Sequence, residues 1–260
     1  MKIKKLFAIA LASAMTMTSA TVWAAEATET PDLSGQELMV FSGGGLKEPV
    51  QEIADAFKEE TGCDVQIVFA ATGQLITQIQ TTESGDLLIP GSKDELKLME
   101  EDEVTEAVDL VKHIPIVAVQ KGNPLNVESI KDLGAEGLTV LFPDPETAPV
   151  GKIAVKAFEE AGIIDSIDIV ANTSTAPLAL TALAEQEADA AIVWKENASK
   201  NENVEILELP EMEKHIKVIS AASLKYTANE EAQGAFVEFM SGEAGMEIWQ
   251  NYGYEPVEAE

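Results

Sequence analysis

In a chain of 260 residues, 46 acidic side chains stand against 17 lysines and no arginine, for a formal net charge of −29. So negative a surface repels a phosphate backbone and excludes nucleic acid as a partner. A hydrophobic content of 46% is globular, the length suits one compact unit or two small lobes, and the lone Cys63 excludes an internal disulfide.

Lys2, Lys4 and Lys5 precede an apolar stretch from Leu6 to Met15, and Val22 and Ala24 offer small residues at the cleavage-determining positions. This is the pattern of a secretory signal peptide, residues 1–24, with an acidic, Thr-rich leader over 25–36. No cysteine stands at the cut to carry a lipid, so the expected location is the periplasm, free of the membrane.

Leu38–Phe41 reads as a short buried strand, and Val50, Ile53, Ala54 and Phe57 then follow helical spacing up to Gly62. Val65–Phe69 is a second strand, with Cys63 at its head as a buried, inert thiol. Leu75, Ile76 and Ile79 mark a second helix, Asp86–Pro90 a third strand, Lys93–Glu101 a helix and Ile114–Val119 a longer strand. After Gly122-Asn123-Pro124 a second series begins: strand Leu138–Phe142, turn Pro143-Asp144-Pro145, helix Gly151–Ala161, strand Ile167–Val170, helix Leu178–Glu187 and strand Ala190–Trp194. Ile216–Ala221 is a further strand, and two helical stretches around Phe236–Met240 and Ala244–Trp249 close the chain.

Strands separated by single helices imply an α/β fold. The expected architecture is two lobes, each a mainly parallel sheet flanked by helices, joined by two crossing strands near Ile114–Val119 and Ile216–Ala221. Lobe 1 takes residues 37–115 plus 218–260, and lobe 2 takes 116–217. In such sheets ligands bind beyond the carboxyl ends of the strands, so two facing lobes form a cleft that can close on a small solute.

Phe41-Ser42-Gly43-Gly44-Gly45-Leu46-Lys47 carries the clearest chemical signal. Glycines between a strand and a helix start remove the Cβ that would hold a ligand away, and the helix start aims unpaired N–H groups outward. That geometry cradles anions, although a glycine-rich turn can also be only a turn.

With these residues in view, the chain resembles the periplasmic molybdate-binding proteins of ABC transporters. Asp144-Pro145-Glu146-Thr147-Ala148-Pro149-Val150-Gly151-Lys152 is similar to that family's D-P-x-x-x-P-A-G segment. Phe69–Leu75 with Gln78-Ile79, Gly85–Ile89, and Val40–Leu46 match further pieces. The resemblance implies the two-lobed periplasmic-binding-protein fold, a tetrahedral oxyanion of the molybdate or tungstate type as ligand, and delivery to a membrane permease. It implies a monomer that is not an enzyme, with no cofactor and no bare metal ion. The family holds its anion through serine hydroxyls, backbone N–H groups and a tyrosine hydroxyl, without a basic side chain. Carried over, the serines fall on Gly45 and Thr72, the backbone donors on Val150 and Ala176, and the tyrosine on Trp194. Gly44 and Gly73 flank these positions, and Ser42 is the candidate to replace the hydroxyl that Gly45 lacks. Gly45 and Trp194 depart from the pattern, so a sulfate-like anion or a small organic carboxylate stays open.

Neutral donors suffice even on so acidic a chain. A unit charge ~20 Å away in water contributes about 0.2 kcal/mol and is screened over ~8 Å. A hydrogen bond to a charged group is worth roughly 1.5–3 kcal/mol. Rival readings find less support. No G-x-S-x-G elbow and no G-K-[ST] ending are present. His113 and His215 lie near the crossings, where packing or surface roles are expected. Glu100-Glu101-Asp102-Glu103 reads as a solvated helix end, and Tyr226, Tyr252 and Tyr254 lie in the tail, away from the loops that would form a ferric-ion site.

Overall fold

The structure is a computed structural model that describes residues 31–258; the expected signal peptide and the first half of the leader lie outside the described residues. The first lobe begins with β1 (Glu37–Gly43), whose core residues Leu38, Val40 and Phe41 are buried. A 3-10 turn (Gly44–Leu46) leads into α1 (Lys47–Thr61), which buries Val50, Ile53, Ala54 and Phe57 on one face. Gly62 ends α1 in the left-handed region at φ 78°, the conformation glycine adopts without strain. Next come β2 (Asp64–Ala70), α2 (Thr72–Thr82), β3 (Leu87–Ile89), a 3-10 turn (Lys93–Leu98) and β4 (Val104–His113).

The chain crosses at Ile114 into β5 (Pro115–Gln120). The second lobe continues through β6 (Thr139–Pro143), α3 (Pro149–Ala161), β7 (Asp168–Thr173), α4 (Ala176–Ala184) and β8 (Ala190–Trp194). It ends with α5 (Lys195–Ala198), β9 (Val204–Leu207) and α6 (Pro210–Glu213). The return crossing at His215 leads into β10 (Lys217–Leu224), then α7 (Glu230–Ser241), α8 (Glu243–Asn251) and β11 (Glu255–Pro256).

One sheet has the order β11-β4-β10-β3-β1-β2 and the other β7-β6-β8-β5-β9. The α/β class with two helix-flanked sheets is as expected, but each sheet is mixed. β1 pairs in parallel with β2 and β3, and β6 with β7 and β8, whereas β10 and β5 pair antiparallel with their neighbours. The reason is topological. A strand that enters a lobe from the other one arrives without a covering helix of its own, so no βαβ crossover fixes it parallel.

Three strands were not anticipated: β4, β9 and the two-residue β11. β4 carries Glu106, Asp109 and Lys112 between its apolar residues, so its half-exposed face weakens the pattern. β9 is four residues long and flanked by acids. The helix expected over Lys93–Glu101 is a 3-10 turn that ends at Leu98.

The first sheet packs both faces. Val40, Phe57, Phe236 and Trp249 fill one side, with Phe57 and Phe236 ring centroids 4.9 Å apart. Phe41, Leu75, Ile79 and Leu88 fill the other. The second lobe has its own core around Phe142, Phe158, Leu183 and Ile192. Cys63 is fully buried, and burial pushes its thiol pKa up, which keeps it protonated and unreactive.

Candidate ligand-binding cleft

The strand ends that point toward the other lobe deliver helix starts. Gly43 closes β1, and the turn at Gly44-Gly45 follows at once. Ala70 closes β2, and α2 starts at Thr72 with Ala71 as N-cap. Pro143 closes β6, and Asp144 folds the next loop: its carboxylate accepts from Glu146 N–H at 2.9 Å and its carbonyl from Ala148 N–H at 2.8 Å. That loop delivers α3 at Pro149, where Ala148 is the N-cap. None of these starts receives a side-chain cap. Their first-turn N–H groups and the positive dipole ends are therefore free for a ligand.

Gly151 explains how α3 can sit so close. A Cβ there would stand 2.1 Å from the Pro143 carbonyl oxygen, so only glycine permits this first turn against β6. Gly45 is the opposite case, because a Cβ there meets nothing within 4 Å.

Between the lobes lies a cleft cavity of about 660 Å³. Of the residues expected at the site, Gly44, Gly45, Thr72, Gly73 and Trp194 border it. Ser42, Val150 and Ala176 do not. Ser42 is fully buried within β1 and its hydroxyl has no partner, so it does not supply a hydroxyl in place of Gly45. Val150 is buried in the second lobe's core, and its neighbours Pro149, Lys152 and Ile153 face the cavity instead. Ala176 starts α4 away from the cavity wall.

Thr72 and Trp194 each have a structural role as well. Thr72 does not cap α2; it is the first helical residue, and its hydroxyl donates to Glu95 Oε2 at 3.0 Å. Trp194 is both packed and at the cavity. Its ring stacks on His113 with centroids 3.6 Å apart at 21°, and it retains 9% exposure.

Several wall residues were missed. Glu95 belongs to a capping box with Ser92 and also accepts from Ser92 N–H at 3.1 Å. The Ser92-x-x-Glu95 spacing was readable as such a box. Asp94 pairs with Lys217 at 2.9 Å and Lys97 at 3.0 Å, and these two lysines hold its carboxyl at about 2. Lys152 and Lys156 project from α3 toward the cavity at i,i+4 spacing. That spacing too was legible.

Both histidines border the cavity at the two crossings. His113 Nδ1 lies 3.2 Å from the Gly91 carbonyl oxygen and Nε2 lies 2.9 Å from Glu196 Oε1, which ties the loop after β3 to α5 of the other lobe. His215 is 5% exposed and faces Glu160 at 3.2 Å. Burial nevertheless pushes its pKa below the ordinary 6.5, outweighing the pull of Glu160. Lys195 adds a further tie, bridging Glu208 of the second lobe and Glu255 of the first.

Two sheet-centred lobes, two crossings and a cleft ringed by uncapped helix starts define a receptor for a small solute. The chain belongs to the bacterial extracellular solute-binding protein family, whose model matches residues 38–255. It is 29% identical over 231 residues to a Haemophilus influenzae protein described only as a binding protein, covering 87% of this chain and 94% of that one. It is 27% identical over 230 residues to the molybdate-binding protein ModA of Escherichia coli, covering 84% of this chain and 88% of the relative. In structure it is similar to the substrate-binding domain of a protein described as part of a molybdenum ABC transporter from Clostridium difficile. The TM-score there is 0.74 at 22% identity, covering 85% of this chain and 99% of that one.

Proposed function

We infer that this protein is an extracytoplasmic receptor that captures an oxyanion in the interlobe cleft and delivers it to an ABC permease. The observation that carries the reading is the convergence on one cavity of the Gly44-Gly45 turn and the uncapped starts of α2 and α3. Such N–H groups solvate negative charge without leaving a buried cation when the cleft is empty. The relatives that bind molybdate make molybdate or tungstate the first candidates. Binding closes the two lobes about the crossings at Ile114 and His215, and the closed form is what the permease recognises.

Binding rather than turnover is the better reading of the polar groups. The one histidine beside a cavity serine, His113, has both ring nitrogens engaged by Gly91 and Glu196 and is not free to act as a base for Ser92. The test is a thermal-melt screen of the secreted form against molybdate, tungstate, sulfate, phosphate, chromate and carboxylates. A bound ligand raises the midpoint by mass action. A shift with molybdate or tungstate and none with sulfate supports the reading. A flat response to every anion overturns it, and small-angle scattering unchanged by a saturating ligand overturns the closure.

A further inference from the structure

The cleft holds a second basis for anion recognition besides the backbone N–H groups of the helix starts. Lys152 and Lys156 lie on the cavity wall, are solvent-exposed, and make no hydrogen bond or ion pair among the described residues. Glu95 lines the same cavity, and Lys156 acts electrostatically on Glu160 and His215 without an ion pair to either. Lys217 is paired with Asp94, and Glu160, one turn beyond Lys156, is held by Lys214 and His215. In a protein with 46 acids and 17 lysines, two ammonium groups without an ion pair, four residues apart on one cavity wall, mark that wall as a place for negative charge.

Their placement sets a direction. Lys152 sits in the first turn of α3 and Lys156 follows four residues on, about 6 Å farther along the axis at 1.5 Å per residue. The cavity wall continues that way to His215 at the return crossing. Ile153 and Trp194, each nearly buried, add apolar surface to the same cavity. A tetrahedral inorganic anion at the start of α3 lies beside Lys152 and leaves Lys156, a turn farther on, without an ion-pair partner. The volume of about 660 Å³ also falls among pockets that take organic small molecules, roughly 300–1,000 Å³. Closure narrows the cleft, so the charge arrangement carries more of the argument than the volume.

We propose that Lys152 and Lys156 form a second anchor and that the cleft takes a small organic acid bearing two anionic groups, such as a phosphorylated hydroxy acid or a dicarboxylate. One group sits at the starts of α2 and α3, the short carbon chain lies along Ile153 and Trp194, and the other group pairs with the lysines. This rests on the reading of the cleft as an anion site and names the class of anion.

Calorimetric titration of the secreted form tests it, with 2-phosphoglycolate and succinate as two-ended probes and phosphate, molybdate and glycolate as one-ended ones. The variants are Lys152→Gln, Lys156→Gln and the double substitution. Both lysines are exposed, so the melting midpoint without ligand stays within about 2 °C of the parent. The expected result is that at least one two-ended probe binds tenfold or more tighter than its one-ended counterpart. The double variant then reduces that advantage to less than threefold. Molybdate binding tighter than both two-ended probes, unaffected by the substitutions, overturns the proposal and leaves the anion receptor standing. An equal loss for every probe also overturns it, because it assigns the lysines to steering or to a latch onto Glu95 across the cleft. Binding of none of the probes overturns both.

Discussion

The Thr72 hydroxyl donates to the Glu95 carboxylate at 3.0 Å, so the side-chain donor expected to meet an anion is engaged by an acid of its own wall. Glu95 also accepts from Ser92 N–H, which fixes it in a capping box at the rim. A carboxylate there competes with an incoming anion twice, by taking the hydroxyl and by repelling like charge. Glu95→Gln removes the charge, and glutamine serves as well as glutamate at that position of the box. The expected outcome is anion affinity raised about tenfold, or about 1.4 kcal/mol, with a melting midpoint close to that of the parent. Titration of parent and variant with the best anion of the screen checks it. An unchanged affinity removes Glu95 from the binding balance, and a weakened one shows that the ligand uses it as an acceptor.

Gly45 and Gly151 predict opposite outcomes. At Gly45 a Cβ meets nothing within 4 Å, so Gly45→Ser folds as the parent does and adds a hydroxyl facing the cavity. Affinity for a tetrahedral oxyanion then rises by the worth of one charged hydrogen bond, roughly 1.5 kcal/mol at the lower end. At Gly151 a Cβ falls 2.1 Å from the Pro143 carbonyl oxygen. Gly151→Ala forces α3 off β6 at a cost of about 2–3 kcal/mol, which lowers the midpoint by about 5–10 °C. Melting curves of both variants side by side decide the matter. A stable Gly151→Ala protein removes the steric account of α3's docking.

Much of this could be read from the chain because apolar periodicity and glycine punctuation are local. Val50, Ile53, Ala54 and Phe57 mark the buried face of α1, and Gly62 ends the helix in the left-handed region that glycine favours. The Gly44-Gly45 turn, Thr72 and Trp194 border the cavity as expected. Long-range facts were not legible. Nothing near Thr72 signals that its hydroxyl meets a carboxylate 23 positions away. Ser42 looked available because it adjoins the glycines, yet both faces of this sheet are covered, so its side chain is interior whichever way it points. β4 was obscured because its acids and lysines give one face to solvent, and a half-exposed strand lacks the continuous apolar run of a buried one.

The acid limb of the stability profile follows from Asp94. Its carboxyl is lowered from 3.8 to about 2 by hydrogen bonds from Lys217 and Lys97. A depressed carboxyl contributes stability that is complete above its unfolded value and is lost as pH falls through the folded one. The loss therefore runs from about pH 4 down to about pH 2. The side chain is 56% exposed, so solvent screening keeps the contribution small. Asp94→Asn is expected to lower stability slightly at pH 7 and to flatten the decline between pH 4 and 2. Urea midpoints across that range check both parts.

His215 predicts a decline at a different pH. Burial holds its pKa below the ordinary 6.5 despite the facing Glu160, so the unfolded chain takes up the proton first as pH falls. The folded state is therefore disfavoured as pH drops below 6.5, and the penalty stops growing once the folded histidine also protonates. Lys156 and Lys214 face the same ring and contribute to the depression, which makes the effect sensitive to the lysines of α3 and its neighbour. Because His215 borders the cleft at the return crossing, its protonation also adds positive charge to the cavity wall. The expected outcome is a lower urea midpoint at pH 5.5 than at pH 7.5 in the parent. His215→Gln is expected to reduce that difference, because glutamine keeps a polar contact to Glu160 without titrating. A difference of equal size in the two proteins would assign the slope to other groups and remove His215 from the pH response.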